Sequence, residues 1–347
     1  MGFAHRHLPR RRGAGPAMKP GPSRSSFSVV VPVFNDGCIV PKLYERLLPV
    51  LSNLCATYEI ILVDDGSTDD TMAHLLRLHQ RDPAVKIIRF TRNFGHQAAI
   101  SAGLQRAAGD YVAVMDDDLQ DPPESLPILC ARLDEGYDVA YAIRTNRPEG
   151  FLKRTAYHLF YRLFRFMAAV DVPLDAGDFC VMRRTVVLAL NCLPERQRFV
   201  RGLRSWVGFR QVGVPTPRSA RAGGVSNYTW WKLTDLCLDG VVSFSIMPLR
   251  VASYLGFLIS AVSFLGVGVV FYFRLFTDRT VPGFAALATL ILFLGGIQLL
   301  TIGIAGEYIG RIFDAVKQRP SYITGELVGW AEPAEDAVNV PDTPGSY

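Results

Sequence analysis

The sequence has no CxxC pair and no other ligand spacing among its six cysteines, Cys38, Cys55, Cys130, Cys180, Cys192 and Cys237. That argues against a zinc site and a disulfide framework, and fits a reducing cytosolic setting. No GxGxxG or GxxxxGKS/T follows the first strand-like run, which disfavours dinucleotide oxidoreductases and P-loop NTPases. No apolar segment follows the N-terminal arginines, so they do not open a secretory signal. Excess positive charge is missing as well, outside one short stretch. The formal net charge is +5, yet Arg6, Arg10, Arg11, Arg12, Lys19 and Arg24 stand in residues 1–26 without an acid, leaving −1 for the remainder. The basic balance therefore gives no case for a nucleic-acid partner. This Pro/Gly/Arg/Ser-rich arm is expected to be disordered, able to touch anionic headgroups, or to be an extension upstream of a start at Met18.

What is present fits one sizeable α/β domain plus something smaller, as 347 residues allow. Short apolar runs at Phe27 to Phe34, Tyr58 to Val63, Val85 to Phe90 and Tyr111 to Met115 predict buried strands. Helical stretches near 38–53, 69–80 and 96–108 lie between them. This βαβαβαβ order predicts a parallel, right-handed wound sheet that binds its ligands at the carboxyl ends of the strands.

The far end changes character. Val251 to Phe273 and Thr280 to Gly306 carry no charge, and each is long enough, at ~1.5 Å per residue, to cross a ~30 Å hydrocarbon core. The short link between them predicts a hairpin with both flanks on one side. Lys232, Arg250, Arg311, Lys317 and Arg319 outnumber the two arginines of the turn, so the flanks, and with them the α/β domain, are expected in the cytoplasm. Residues 151–170 mix bases with aromatics as an interfacial helix does, and 227–250, with Trp230 and Trp231, reads as a juxtamembrane helix. Glu307 and Arg311 are spaced for an i,i+4 pair.

Acids cluster at the predicted strand ends: Asp36, then Asp64 and Asp65, then Asp116, Asp117 and Asp118. Gathered at one sheet edge they would repel one another, and a hard divalent cation chelated with a diphosphate answers that repulsion.

Eight segments carry a resemblance: VVPVFND (30–36), VDDGSTDD (63–70), RNFGHQAAISAGL (92–104), MDDDLQDPPE (115–124), GDF (177–179), ERQRFVRGL (195–203), RAGGVSNY (221–228) and GEYIGRIFDAVKQRP (306–320). Together they resemble family 2 glycosyltransferases, and within them the polyprenyl-phosphate branch that includes bactoprenol glucosyltransferases and dolichyl-phosphate mannose synthases. The resemblance implies a Rossmann-like GT-A domain over 27–226, followed by the juxtamembrane helix, a transmembrane hairpin over 251–306 and a cytoplasmic helix and tail over 307–347. It implies that Pro32, Phe34, Asp36, Asp64, Asp65 and Asp116 border the nucleotide, and that Asp116, Asp118 and Gln120 hold Mg²⁺ or Mn²⁺. Asp178, Arg144, Arg198, Arg201, Arg221 and Ser226 are the candidates at the acceptor phosphate. His96 reads as a positioning element and not as an acid or base. The implied reaction is inverting transfer of a hexose from a nucleotide sugar to a polyprenyl phosphate such as undecaprenyl phosphate at the inner membrane. Glucose from UDP-glucose is the first choice, ahead of mannose, N-acetylhexosamine or a formamido-arabinose. The alternative of another class is an inactive membrane adaptor. Related enzymes form tetramers, and Gly295, Gly296, Gly303 and Gly306 permit close helix contact. Two departures stand out: Asp117 is an extra acid where the family often has Ala, and Asn227 replaces an expected Lys or Arg.

Overall fold

The computed structural model describes residues 24–144, 176–195, 198–216, 247–276 and 283–330. The strands are β1 (Arg24–Val33), β2 (Cys55–Asp64), β3 (Val85–Phe90), β4 (Tyr111–Val114), β5 (Val139–Arg144), β6 (Ala176–Arg183), β7 (Gln211–Thr216) and β8 (Thr324–Val328). They form one eight-stranded sheet in the order β7-β5-β6-β4-β1-β2-β3-β8. The helices are α1 (Val40–Leu54), α2 (Thr71–Arg81), α3 (His96–Arg106), α4 (Leu126–Asp134), α5 (Arg184–Asn191), α6 (Val200–Trp206), α7 (Met247–Phe276) and α8 (Phe284–Val316).

Strand β1 explains the layering. It is apolar on both faces, as a strand covered on both sides must be. Val29, Val31 and Val33 face one apolar cluster with side chains of α1, α2 and α4, while Val30 faces a second with side chains of α3, α5 and α6. Gly103 lets α3 sit close: a Cβ there would overlap the Val30 side chain.

The first half of the sheet matches the sequence pattern. β1 pairs in parallel with both β2 and β4, and β2 with β3. The expectation of a wholly parallel sheet is corrected beyond that, because β6 runs antiparallel to β4 and β5, and β8 antiparallel to β3. The consequence is functional. Cys180 of β6 pairs with Val114 of β4, so continuing that antiparallel register by two residues sets Asp178 opposite Asp116. A parallel β6 would begin at the other end of the sheet.

Strand β8 was not legible in the pattern of residues 307–347. It covers the edge of β3, which would otherwise expose unpaired backbone groups. Tyr322 stacks on Phe90 with ring centroids 4.8 Å apart, and Lys86 and Arg106 approach the Trp330 ring.

Long helices occupy both stretches read as apolar: α7 extends past the expected 251–273 at both ends, whereas α8 starts later than the expected Thr280 and runs ten residues past Gly306. The described residues include one segment, Phe293–Phe313, long and apolar enough to cross a membrane, and a shorter apolar stretch, Leu249–Ile259. Large side chains such as Phe257, Leu265, Tyr272, Leu299 and Ile309 are exposed along them. Glu307 and Arg311 form the expected pair, with Arg311 Nε 3.2 Å from Glu307 Oε1. Residues 1–23 of the expected arm, the interfacial helix at 151–170, most of the juxtamembrane segment and residues 277–282 around the hairpin turn lie outside the described residues, while Arg24 to Ser26, expected as the end of the arm, open β1 instead.

Gly103→Ala should force β1 and α3 apart at a fully packed point and destabilise the domain by about 1–3 kcal/mol. A drop of several degrees in apparent unfolding temperature is the expected reading, and an unchanged value would mean that Val30 can move aside.

Candidate active site

The carboxyl ends of β1 and β4 mark the point where the chain crosses over from β1 to neighbours on opposite sides, the position at which a wound sheet ordinarily has its ligand cleft. Val30 O accepts from Met115 N, whereas Val33 O accepts from Asp65 N. Even-numbered residues of β1 therefore turn their backbone groups toward β4. Pairing with β4 ends at Val30, so Pro32, which has no N–H, sits where none is needed. Phe34 follows as an exposed ring at the rim.

Three loops are clasped around this cleft. Asn35, in the left-handed region at φ 54, donates its backbone N–H to Ser67 Oγ at 3.0 Å, and its side-chain oxygen accepts from Thr68 N at 2.9 Å. Asp64 is fully buried; its Oδ1 accepts from Ser67 N at 2.9 Å, and Arg89 Nε lies 3.7 Å from Oδ2. Asp65 turns to the next loop, accepting from Phe94 N at 2.7 Å and from Gly95 N at 3.0 Å. Gly66, at φ 69, packs so closely on Arg92 that a Cβ would overlap its backbone. Of the two acids at the end of β2, Asp65 thus secures the loop that leads into α3.

The segment after β4 carries the charge problem. Burial raises the Asp116 carboxyl to about 6, opposed by His96 and reinforced by Asp178, Asp118 and Asp121. Burial, with Asp36, Asp116 and Asp118 alongside, pushes Asp117 to about 8. Asp116 Oδ1 and Asp117 Oδ2 are buried oxygens with no hydrogen-bond partner. Asp118 Oδ1 accepts from Gln120 N at 3.0 Å across Leu119, a buried non-glycine residue held at φ 59. Backbone of that kind costs of order 1–3 kcal/mol and clusters at functional sites.

Opposite this segment stands β6. Asp178 is gripped by Arg201 of α6, with Nη2 3.0 Å from Oδ2 and Nε 3.3 Å from Oδ1. His96 Nε2, at the start of α3, lies 3.6 Å from Asp178 Oδ2 and 3.5 Å from Asp116 Oδ1. Burial alone would raise Asp178, but the His96 ring 3.6 Å away and the Arg201 charge and hydrogen bond hold it well below the usual carboxylate range. For His96, burial pulls the pKa down and Asp178 and Asp116 more than offset it, so the net shift is upward.

The family model for Glycosyl transferase family 2 matches residues 28–190. The chain is 45% identical over 305 residues to the uncharacterized glycosyltransferase YkcC of Bacillus subtilis (strain 168), covering 87% of this chain and 94% of that one. It is 41% identical over 298 residues to the SfII prophage-derived bactoprenol glucosyl transferase of Shigella flexneri, covering 86% and 96%. This chain is a family 2 glycosyltransferase. Among solved structures, glucosyl-3-phosphoglycerate synthase from Mycobacterium tuberculosis, in complex with Mn²⁺, UDP-glucose and phosphoglyceric acid, aligns at TM-score 0.42 and 19% identity over 63% of this chain and 78% of that one.

The glycosyltransferase brings Asp116, Asp178 and Arg201 together, with Asp36, Asp64 and the 116–120 segment along the same sheet edge. Arg198 is placed differently: its guanidinium donates to the Leu190 carbonyl beside α5, and burial lowers its pKa. Arg144 ends β5, paired with Thr216; Arg221, Ser226 and Asn227 lie outside the described residues. His96 was outside the predicted site set, although a histidine opening the third crossover helix, after Gly95, belongs at the carboxyl edge. Arg204, one helical turn after Arg201, was also missed; it is buried, 4.9 Å from the Tyr141 ring centroid and beside Cys180.

No three acids or histidines form a ready-made cation cage among the described residues. The donor chemistry nevertheless fits a hard divalent ion. Unpartnered buried carboxylate oxygens crowd one another there, and ions of the Mg²⁺ type bind through one or two carboxylates and take other ligands from phosphate and water.

Asp117 yields a signed prediction. Its folded pKa of about 8 lies above the ordinary 3.8, so between those values the folded chain keeps a proton that the unfolded chain releases, and stability falls as pH rises. In EDTA, Asp117→Asn should therefore unfold at a higher temperature than the wild type, with a gap that widens from about pH 5 to about pH 8. A constant gap would show that Asp117 is charged in the folded protein.

Proposed function

We propose that this glycosyltransferase moves a hexose from a nucleotide sugar, UDP-glucose first among donors, to a polyprenyl phosphate at the cytoplasmic face of the membrane, inverting the anomeric centre. The observation that carries the reading is the Asp116–His96–Asp178–Arg201 cluster at the β1–β4 cleft, in a chain 41% identical to a bactoprenol glucosyl transferase.

The acceptor explains why a strong base is not needed. A phosphate monoester has a second pKa near ~6, so its oxygen is already an anion at neutral pH. Positioning matters more. Arg201, oriented by Asp178, is suited to grip that phosphate, with Arg144, Arg221 and Ser226 as further candidates. Asp178, held ionised by Arg201, is a poor proton acceptor and acts as the anchor of that arginine. The acceptor oxygen attacks the anomeric carbon as the bond to the nucleoside diphosphate breaks; the diphosphate departs with the bonding electron pair, and the lipid-linked sugar carries the inverted configuration. Pro32, Phe34, Asp36 and Asp64 border the nucleotide and Asp116 approaches its ribose and phosphates; Asp65 serves the nucleotide through the loop that it holds. Asp116, Asp118 and Gln120 would hold Mg²⁺ or Mn²⁺, which when bound supplies Lewis-acid stabilisation of the departing diphosphate. Helices α7 and α8 serve as a membrane hairpin that keeps the cleft beside its lipid substrate, and the glycines of α8 suit packing between copies.

Purified full-length protein supplied with undecaprenyl phosphate and a panel of nucleotide sugars should form one lipid-linked sugar, in the presence of Mg²⁺ or Mn²⁺ and not in excess EDTA. Asp118→Asn should lower transfer by about 100-fold while the protein stays folded; full activity in that variant or in EDTA would refute the metal assignment, and no transfer from any donor would refute the reaction. A reporter fused after Tyr347 should read as cytoplasmic. A periplasmic signal would overturn the hairpin orientation.

A further inference from the structure

We infer that His96 is a positioning residue through which occupancy of the donor side organises the acceptor side, an inference that rests on the glycosyl-transfer reading above. Its Nε2 stands 3.5 Å from Asp116 Oδ1 and 3.6 Å from Asp178 Oδ2. A full N–H···O bond closes to about 2.9 Å, so one ring nitrogen is shared between two carboxylates and fully engaged by neither. Asp116 closes the donor half of the cleft. Asp178 faces the acceptor half through its two contacts with Arg201.

The imidazole is mounted so that it can report from one wall to the other. The two residues before it are held by Asp65, which accepts from both Phe94 N and Gly95 N. The residue after it, Gln97, accepts with its side-chain oxygen from Val200 N at 2.9 Å. Val200 is the first residue of α6, the helix that carries Arg201. The first turn of α3 therefore touches Asp116 and Asp178 through the His96 ring and the Arg201 helix through the Gln97 side chain. When Asp116 turns to a bound nucleotide diphosphate, the ring loses one of its two acceptors and closes on Asp178. That closure fixes the Asp178–Arg201 pair in the orientation that the acceptor phosphate meets. No proton or bond is exchanged at His96; the residue acts by geometry, and donor and acceptor must then favour each other's binding to the same degree.

Full-length protein in lipid nanodiscs tests this with two unreactive probes, UDP with Mg²⁺ on the donor side and farnesyl phosphate on the acceptor side. In the wild type, saturating UDP should tighten farnesyl phosphate binding by about five-fold or more, with the reciprocal effect on UDP. In His96→Leu the ratio should fall to about one, whatever the separate affinities are, since an isosteric apolar side chain offers no donor. His96→Gln places an amide N–H in the reach of Nε2 and should restore part of the coupling. A wild type without coupling, a leucine variant with coupling intact, or a glutamine variant no better than leucine would each overturn the assignment. Failure of the wild type to bind either probe would instead overturn the functional reading beneath it.

Discussion

Like charge gathered at one edge of the sheet is the constraint on which the rest of this structure depends. A wound sheet delivers the ends of β1, β2 and β4 to the same place, and here those ends carry Asp36, Asp64, Asp65 and Asp116 to Asp118. Each acid must be compensated or lose its charge. Asp64 takes a backbone N–H and a nearby arginine, and Asp65 takes the amides of the next loop. Asp178 arrives from β6 already carrying Arg201. Asp116 and Asp117 receive too little, which is why burial drives their pKa values up and leaves an oxygen of each without a partner. Asp64 Oδ2 is likewise without a hydrogen-bond partner, although Arg89 Nε lies 3.7 Å away.

The local half of this arrangement was legible in the sequence. The four apolar runs became β1 to β4 within a few residues, because a doubly covered strand must be apolar along its length whatever its neighbours are. The strand ends were legible too, since a parallel wound sheet fixes which end of each strand is shared. Non-local pairing was not legible. Nothing in Ala176 to Arg183 announces that β6 runs against β4, and Thr324 to Val328, half-polar and short, has the look of a tail until the bare edge of β3 is there to receive it. What His96 positions is not legible for the same reason: its meaning lies in two carboxylates 20 and 82 residues further along the chain. Arg198 shows the reverse error, since a basic residue in a recognisable motif need not face the site that the motif serves.

The C-terminal strand changes how the apolar helices relate to the catalytic domain. An anchor attached at one point leaves a domain free to swivel. Here β7 precedes α7 in the chain, and after α8 the chain returns to pair with β3, with Tyr322 on Phe90 and Trp330 against Lys86 and Arg106. Two attachments restrict orientation far more than one. The second lies on β3, whose following loop is the one held by Asp65 and ending in His96.

The state of Asp178 also decides what kind of chemistry the cleft can favour. An acceptor hydroxyl would need a base close to neutrality, and a carboxylate pinned by a bidentate arginine is the opposite of one. An acceptor that is already a phosphate anion needs no base and gains from a guanidinium whose direction is fixed. On the reading proposed above, the Asp178–Arg201 pair, 3.0 Å at its shorter contact, would favour a charged acceptor over a neutral one. Antiparallel pairing of β6 on β4 is what makes that selection available, because it sets the pair directly across from Asp116. Sheet topology, and not any single motif, brings Asp116 and Asp178 face to face.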